Sequence, residues 1–312
     1  MKDLRSVRIE PPATTANMGP GFDCLGMALS LRNSFTFTRI DGPDRVLLTG
    51  PEAEGIPTDS SNLAIQALRE LARRVDDGSE LTGGIALEAE IHIPRGRGLG
   101  SSATAIVAGA LAASAFLNAT GSHDWLARQV TDIEGHPDNV APCLYGGLVL
   151  SLQTERLTVL KTEVKRPPKM ALLVPSNIQT ATDESRGALP DSLPRDAVVR
   201  QTARTAVLMA ALAGGLEPAW MTPGLLEDEL HEPVRGRAIP GFAELRALAV
   251  EAGAYGLVIS GSGPSVLIFA PTDAAADQAA ERCLARWREL GVEGRTLRPT
   301  IETEGARITR LA

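Results

Sequence analysis

Residues Gly84 to Thr104 read GIALEAEIHIPRGRGLGSSAT, and three kinds of local structure meet in them. Ile85, Leu87, Ala89, Ile91 and Ile93 recur at every second position, the period of a half-buried strand. Gly96, Gly98 and Gly100 follow, and Ser101 and Ser102 then open an alanine-rich helix expected to run to about Ala119. Glycine lets a backbone adopt positive φ and approach a ligand closely. A helix start presents unpaired N–H groups and about half a positive charge. Strand, glycine turn and helix start together predict a phosphate cradle. The glycines alternate, so this is not the dinucleotide GxGxxG, and no suitable acidic residue follows to hold a ribose. A plain glycine-rich turn with a serine cap is the other reading of the stretch.

Upstream, Arg5 to Glu10 and Asn33 to Ile40 are expected as strands, the second from alternating Phe35 and Phe37. Ser60 or Ser61 is placed to cap a helix carrying Leu63, Ala67, Leu68, Leu71 and Val75 at helical spacing. Downstream, Ser122 or Asp124 caps a helix ending near Gly135, and Gly146 to Leu152 reads as a strand. The proline- and charge-rich KTEVKRPPKM, Lys161 to Met170, marks the boundary between two halves, giving domains at residues 1–162 and 163–312. The second half is expected to open on a buried strand, Met170 to Pro175. Helices follow at about 195–213, 241–252 and 274–290, with a glycine turn at Gly261 to Gly263 between the strands GLVIS and SVLIFA. This alternation predicts an α+β fold with mixed sheets in both halves.

Composition narrows the function. The 312 residues suffice for about two domains, and 44% hydrophobic content excludes disorder. A net charge of -7 disfavours nucleic-acid binding. The longest apolar run, Ala103 to Leu117, is short of the ~20 residues of a membrane span. The opening MKDLRSVRIEPP has no apolar signal core, so a cytoplasmic location is expected. Cys24, Cys143 and Cys283 form no CxxC, and the four histidines form no HExxH. The four lysines, Lys2, Lys161, Lys165 and Lys169, all lie outside the glycine-rich loops. A Walker-A loop and the strand lysine of protein kinases are therefore excluded. Phosphate chemistry here must rest on backbone amides, hydroxyls, a metal ion and arginines.

Two further stretches carry polar groups suited to a site. PPATTANMGPGFDCLGMAL, Pro11 to Leu29, reads as a long ordered loop, in which Asn17 and Asp23 could bind an amino or hydroxyl group. A solvated loop is the alternative. In EGHPDNVAPCLYGG, Glu134 to Gly147, Glu134 falls at a helix C-terminus, where the dipole disfavours a carboxylate. A nearby cation would remove that conflict. Pro137 is expected to stop the helix and leave Asp138 and Asn139 on an irregular turn. His136 reads either as a site residue or as a packed turn histidine.

PATTANMGPGFD, PRGRGLGSSAT, EGHPDNVAP and ISGSGPS stand in the order and positions seen in homoserine kinases of the GHMP kinase superfamily, which the chain resembles over nearly its whole length. The first and third stretches are the more specific to homoserine kinases. The resemblance implies an N-terminal half like ribosomal protein S5 domain 2 and a ferredoxin-like C-terminal half. It implies ATP- and Mg²⁺-dependent phosphorylation of the L-homoserine hydroxyl to O-phospho-L-homoserine, on the route to threonine. By the same resemblance Pro94, Arg95, Gly96, Arg97, Gly98, Leu99, Gly100, Ser101, Ser102, Ala103 and Thr104 wrap the ATP phosphates, with Asn62 near the adenine. Ser102 and Glu134 are the implied magnesium ligands. Asn17, Asp23, His136, Asn139, Thr182, Arg186 and Arg235 are the implied substrate contacts, with Gly261 supporting the phosphate loop from the second half. An arginine pair suits an amino-acid carboxylate. Mevalonate kinases place an aspartate as likely base where this sequence reads Asn139, so catalysis without a dedicated base is expected. Another small-molecule kinase of the superfamily, or a nucleotide-binding regulator, are the competing readings; the Ser102 and Glu134 pair speaks against the regulator. The sequence is compatible with a monomer and with a homodimer, and implies neither a nucleic-acid nor a membrane partner.

Overall fold

The structure is a computed structural model that describes residues 4–76, 81–179, 182–217 and 220–311. Strands β1 (Ser6–Glu10), β2 (Pro12–Asn17), β3 (Gly21–Arg32), β4 (Ser34–Ile40) and β5 (Arg45–Thr49) come first. Helix α1 (Leu63–Asp76), β6 (Gly84–Glu90), α2 (Ser101–Phe116), α3 (His123–Glu134), α4 (Pro137–Tyr145), β7 (Leu148–Gln153) and β8 (Leu157–Thr162) complete the first half. The second half holds β9 (Lys169–Pro175), α5 (Thr182–Gly187), α6 (Arg195–Leu212), α7 (Glu232–Arg235), α8 (Phe242–Glu251), β10 (Gly256–Ile259), β11 (Val266–Ala270), α9 (Asp273–Glu289), β12 (Gly294–Leu297) and β13 (Arg307–Leu311).

These strands form three sheets, ordered β13-β1-β4-β6-β5, β2-β3-β7-β8 and β10-β11-β9-β12. The last is antiparallel throughout, with helices between its first two and last two strands, which is the ferredoxin-like arrangement. The first sheet packs against α1 and α2. Helix α2 is apolar on all sides and buried on nearly all of them, as its alanine-rich sequence requires. Among the described residues no helix is long and apolar enough to cross a membrane.

Three local expectations are corrected. Pro11 to Leu29 is not a loop but the β2–β3 hairpin, with Thr14 opposite Ala28 and Thr15 opposite Met27. Asn17, Met18 and Asp23 take left-handed φ values of 68°, 50° and 57°, so the proline–glycine segment turns tightly and its flanks stay extended. Pro137 does not leave an irregular turn; it occupies the first turn of α4, directly after His136. Proline lacks an N–H, and that position needs none. Asn62, rather than Ser60 or Ser61, caps α1, its Oδ1 accepting from the Ala64 N–H at 3.0 Å.

Candidate active site

Hairpin β2–β3, the glycine loop, the α3–α4 junction, α5, α7 and the 261–262 turn converge on one cleft of about 260 Å³. A larger groove of about 800 Å³ lies elsewhere, between the β8–β9 connection and the 298–303 segment, and holds none of the expected site residues.

The glycine loop forms one wall of this cleft. Gly96, Gly98 and Gly100 have φ of 64°, 70° and 67°. A Cβ on Gly98 would fall 1.9 Å from the Ser260 carbonyl oxygen, so glycine is required there by protein packing as well as by backbone angle. Ser260 Oγ lies 2.7 Å from Gly98 O and 2.9 Å from Thr15 Oγ1. A carbonyl can only accept, so the Ser260 hydroxyl donates to Gly98 O. Gly100 precedes α2 without a side-chain cap, leaving the first amides of that helix for an anion.

Ser102 and Glu134 meet at the end of the loop, with Oγ donating to Oε1 at 2.6 Å. Glu134 is the last residue of α3, as expected. Among the described residues no three His, Cys, Asp or Glu side chains gather as a metal site. Two protein oxygens beside an anion cradle suit Mg²⁺, which keeps most of its shell for phosphate and water.

Charged residues line other parts of the cleft. Arg186 holds Asp23 through both nitrogens, at 2.6 and 2.8 Å. Arg235 is 5% exposed, donates to Gly261 O at 3.2 Å, and its buried Nε has no hydrogen-bond partner among the described residues. Burial, and then the Arg186 charge, push the Arg235 guanidinium below its ordinary value. Both guanidiniums pack on the Phe22 ring, that of Arg186 at 5.6 Å and that of Arg235 at 5.3 Å from its centroid. Its other neighbour, His231, is fully buried and held below its usual pKa mainly by that burial. Asn17 uses its whole amide on the backbone, donating to Gly261 O at 2.8 Å and accepting from the Asp23 N–H at 3.0 Å. His136 pairs with the buried Asp138 carboxylate. Burial opposes the charged ring, but Asp138 and Glu134 outweigh it and raise the His136 pKa.

The cleft thus gathers Asn17, Asp23, Pro94, Arg95, Gly96, Gly98, Leu99, Gly100, Ser101, Ser102, Glu134, His136, Asn139, Arg186, Arg235 and Gly261. Asn62, Arg97, Ala103 and Thr104 lie outside its lining. Arg97 is buried and donates to Pro175 O and Ser176 O, tying the loop to the second half. Thr104 bonds Ser101 O and Asn33 instead. Thr182 opens α5, but its side chain is outside the described residues. Phe22 and Thr14 were not singled out in the sequence; both belong to the ATTANMGPGFD stretch, which was the available signal.

Comparison with known proteins identifies the family. Residues 62–147 match the GHMP kinases N terminal domain and residues 210–289 the GHMP kinases C terminal family. The chain is a GHMP kinase. A homoserine kinase of Trichormus variabilis is 39% identical over 98% of this chain and the whole of that protein. One from Desulfitobacterium hafniense is 36% identical over 97% of this chain and 99% of that one. The crystal structure of a homoserine kinase from Cytophaga hutchinsonii superposes with a TM-score of 0.84 at 28% identity, covering 99% of this chain and 98% of that one. The chain belongs to the homoserine kinase family.

Proposed function

We propose that this enzyme transfers the γ-phosphoryl group of ATP to the side-chain hydroxyl of L-homoserine, giving O-phospho-L-homoserine on the route to threonine. The observation that carries the reading is the Asp23–Arg186 pair beside the buried Arg235, in the same cleft as the glycine loop. A zwitterionic amino acid can enter that pair without stranding a charge. Its ammonium replaces Arg186 at Asp23, and its carboxylate takes Arg186 and the Arg235 Nε, which has no partner among the described residues. A sugar or isoprenoid alcohol offers no such exchange.

The loop from Pro94 to Thr104 positions the triphosphate through its amides. Mg²⁺ held by Ser102 and Glu134 would neutralise charge on the β- and γ-phosphates. The homoserine oxygen bonds to the γ-phosphorus as the bond to the bridging oxygen breaks, ADP leaves, and the hydroxyl proton passes late to a phosphoryl oxygen. Such a loose transition state needs little basicity in the acceptor. Asn139 orients the hydroxyl, and Asp138, engaged by His136, serves as its neighbour rather than as a base. The thiols Cys24, Cys143 and Cys283 are free, in keeping with the cytoplasm as the place of action.

The test is ADP release with homoserine, mevalonate, galactose and shikimate in parallel. Homoserine is expected to be turned over fastest. Faster turnover of mevalonate or galactose overturns the assignment.

A further inference from the structure

Three contacts meet at Thr14, a fully buried residue of β2. Its hydroxyl lies 2.8 Å from Asn139 Oδ1. Its backbone N–H donates to Leu99 O at 3.1 Å. A Cβ on Gly100 would stand 2.0 Å from its Oγ1. Thr14 therefore lies directly beneath the glycine loop and against Asn139.

The sense of the Thr14–Asn139 bond follows from Asp138. Asn139 Nδ2 is 3.3 Å from Asp138 Oδ1, the same oxygen that engages the His136 ring. A carboxylate accepts and does not donate. Turning the amide over would set its carbonyl oxygen against that carboxylate. The amide oxygen consequently faces Thr14, and the Thr14 hydroxyl donates to it.

We propose that Thr14 is a positioning residue for phosphoryl transfer, locking the Asn139 amide so that its NH₂ group, and not its carbonyl, serves the acceptor hydroxyl. One N–H goes to Asp138 and the other is offered to the acceptor oxygen. That hydroxyl then receives a hydrogen bond from Asn139 and directs its own hydrogen elsewhere, toward the phosphoryl oxygens. The same threonine touches the loop at Leu99 and Gly100, so donor phosphate and acceptor hydroxyl are registered against one side chain. This deepens the kinase reading above and rests on it.

Thr14→Val keeps the shape and removes the hydroxyl. It is expected to lower kcat about 10- to 100-fold, the cost of a misplaced reacting group, with KM for ATP and homoserine little changed. Thr14→Ser, which keeps the donor, is expected to restore most of kcat. A cycle with Asn139→Leu separates positioning from support of the loop. If Thr14 acts through Asn139, Thr14→Val costs little in the Asn139→Leu background. An equal cost in both backgrounds, or a normal kcat for Thr14→Val, overturns the proposal. Thr14→Ala enters the same cycle if Thr14→Val melts early. A wild-type enzyme that ignored homoserine would sink the acceptor assignment instead, and the cycle would be run with the alcohol it does phosphorylate.

Discussion

Arg235 is a buried cation whose Nε has no hydrogen-bond partner among the described residues, the kind of group that binds an anion to relieve its own isolation. Arg235→Leu should raise KM for homoserine about 10- to 100-fold, since one charged hydrogen bond is worth about 1.5–3 kcal/mol, and should leave KM for ATP nearly unchanged. Steady-state kinetics with each substrate varied in turn will show it; an effect confined to ATP would refute the carboxylate role. Glu134→Gln should cut kcat by at least about 100-fold while thermal melting stays normal, because a preorganised charge near the transferring group is lost. Near-wild-type turnover at low magnesium would remove Glu134 from the metal site. Glu134 stood out in the sequence by its place at a helix C-terminus, whereas Arg235 was reached only through the family resemblance, since a lone arginine in such a stretch reads as a surface residue. Thr14 could not be singled out: threonine in a strand is ordinary, and its meaning lies in a contact across 125 residues of chain. Arg97 misled for the opposite reason. It sits in the loop motif, yet its guanidinium turns away from the cleft to carbonyls of the second half.

At the level of elements, strands and helices with clean periodicity were legible, among them β6, α1 and α9. The β2–β3 hairpin was not, because proline and glycine are also the residues of loops; left-handed Asn17 and Asp23 resolve the choice only in three dimensions. Helix α4 was missed because a proline ends one helix and begins the next with equal ease. Short helix α7 offers a prediction of its own. Burial pushes the Glu232 carboxyl from 4.5 up to about 8; Arg246 and the Ile259 N–H oppose this, while Asp228 and Glu227 add to it. The folded state thus holds the proton more tightly than the unfolded one. Its contribution to stability is complete below pH 4.5 and is lost as pH rises through about 8. Glu232→Gln keeps an acceptor for Ile259 and removes the titration. The melting temperature of the wild type should therefore fall more steeply than that of Glu232→Gln between pH 6 and 9. Parallel slopes would mean that Arg246, 3.0 Å away, keeps Glu232 charged throughout.

On the scale of the whole molecule, the two halves are joined twice. The chain crosses once between β8 and β9, and its tail then returns to the first half. Strand β13 pairs with β1 from Ser6 opposite Leu311 to Glu10 opposite Arg307. Arg32 binds Glu302, Glu304 O and Gly305 O of this tail. That return has no local cue, since ARITRLA has the form of any short strand and its partner is at the opposite end of the chain. A chain ending at Arg298 would strip Arg32 of these partners, at a cost of roughly 3 kcal/mol or more. The melting temperature should drop by about 4–5 °C or more for a fold of this size, at about 2.1 cal/mol/K of unfolding entropy per residue. A truncated protein melting with the full chain would show that the tail is not structural.

The return of β13 also orders events during synthesis. Residue 6 leaves the ribosome 305 residues before residue 311. At about 5–20 residues per second, the outer edge of β1 stays bare for roughly 15–60 s. For much of that time the nascent chain carries the glycine loop but lacks Ser260, which fastens Gly98, and Arg235, which lines the same cleft. On the function proposed above, the cleft is complete only once the C-terminal half has been made, so activity is expected to wait for that half.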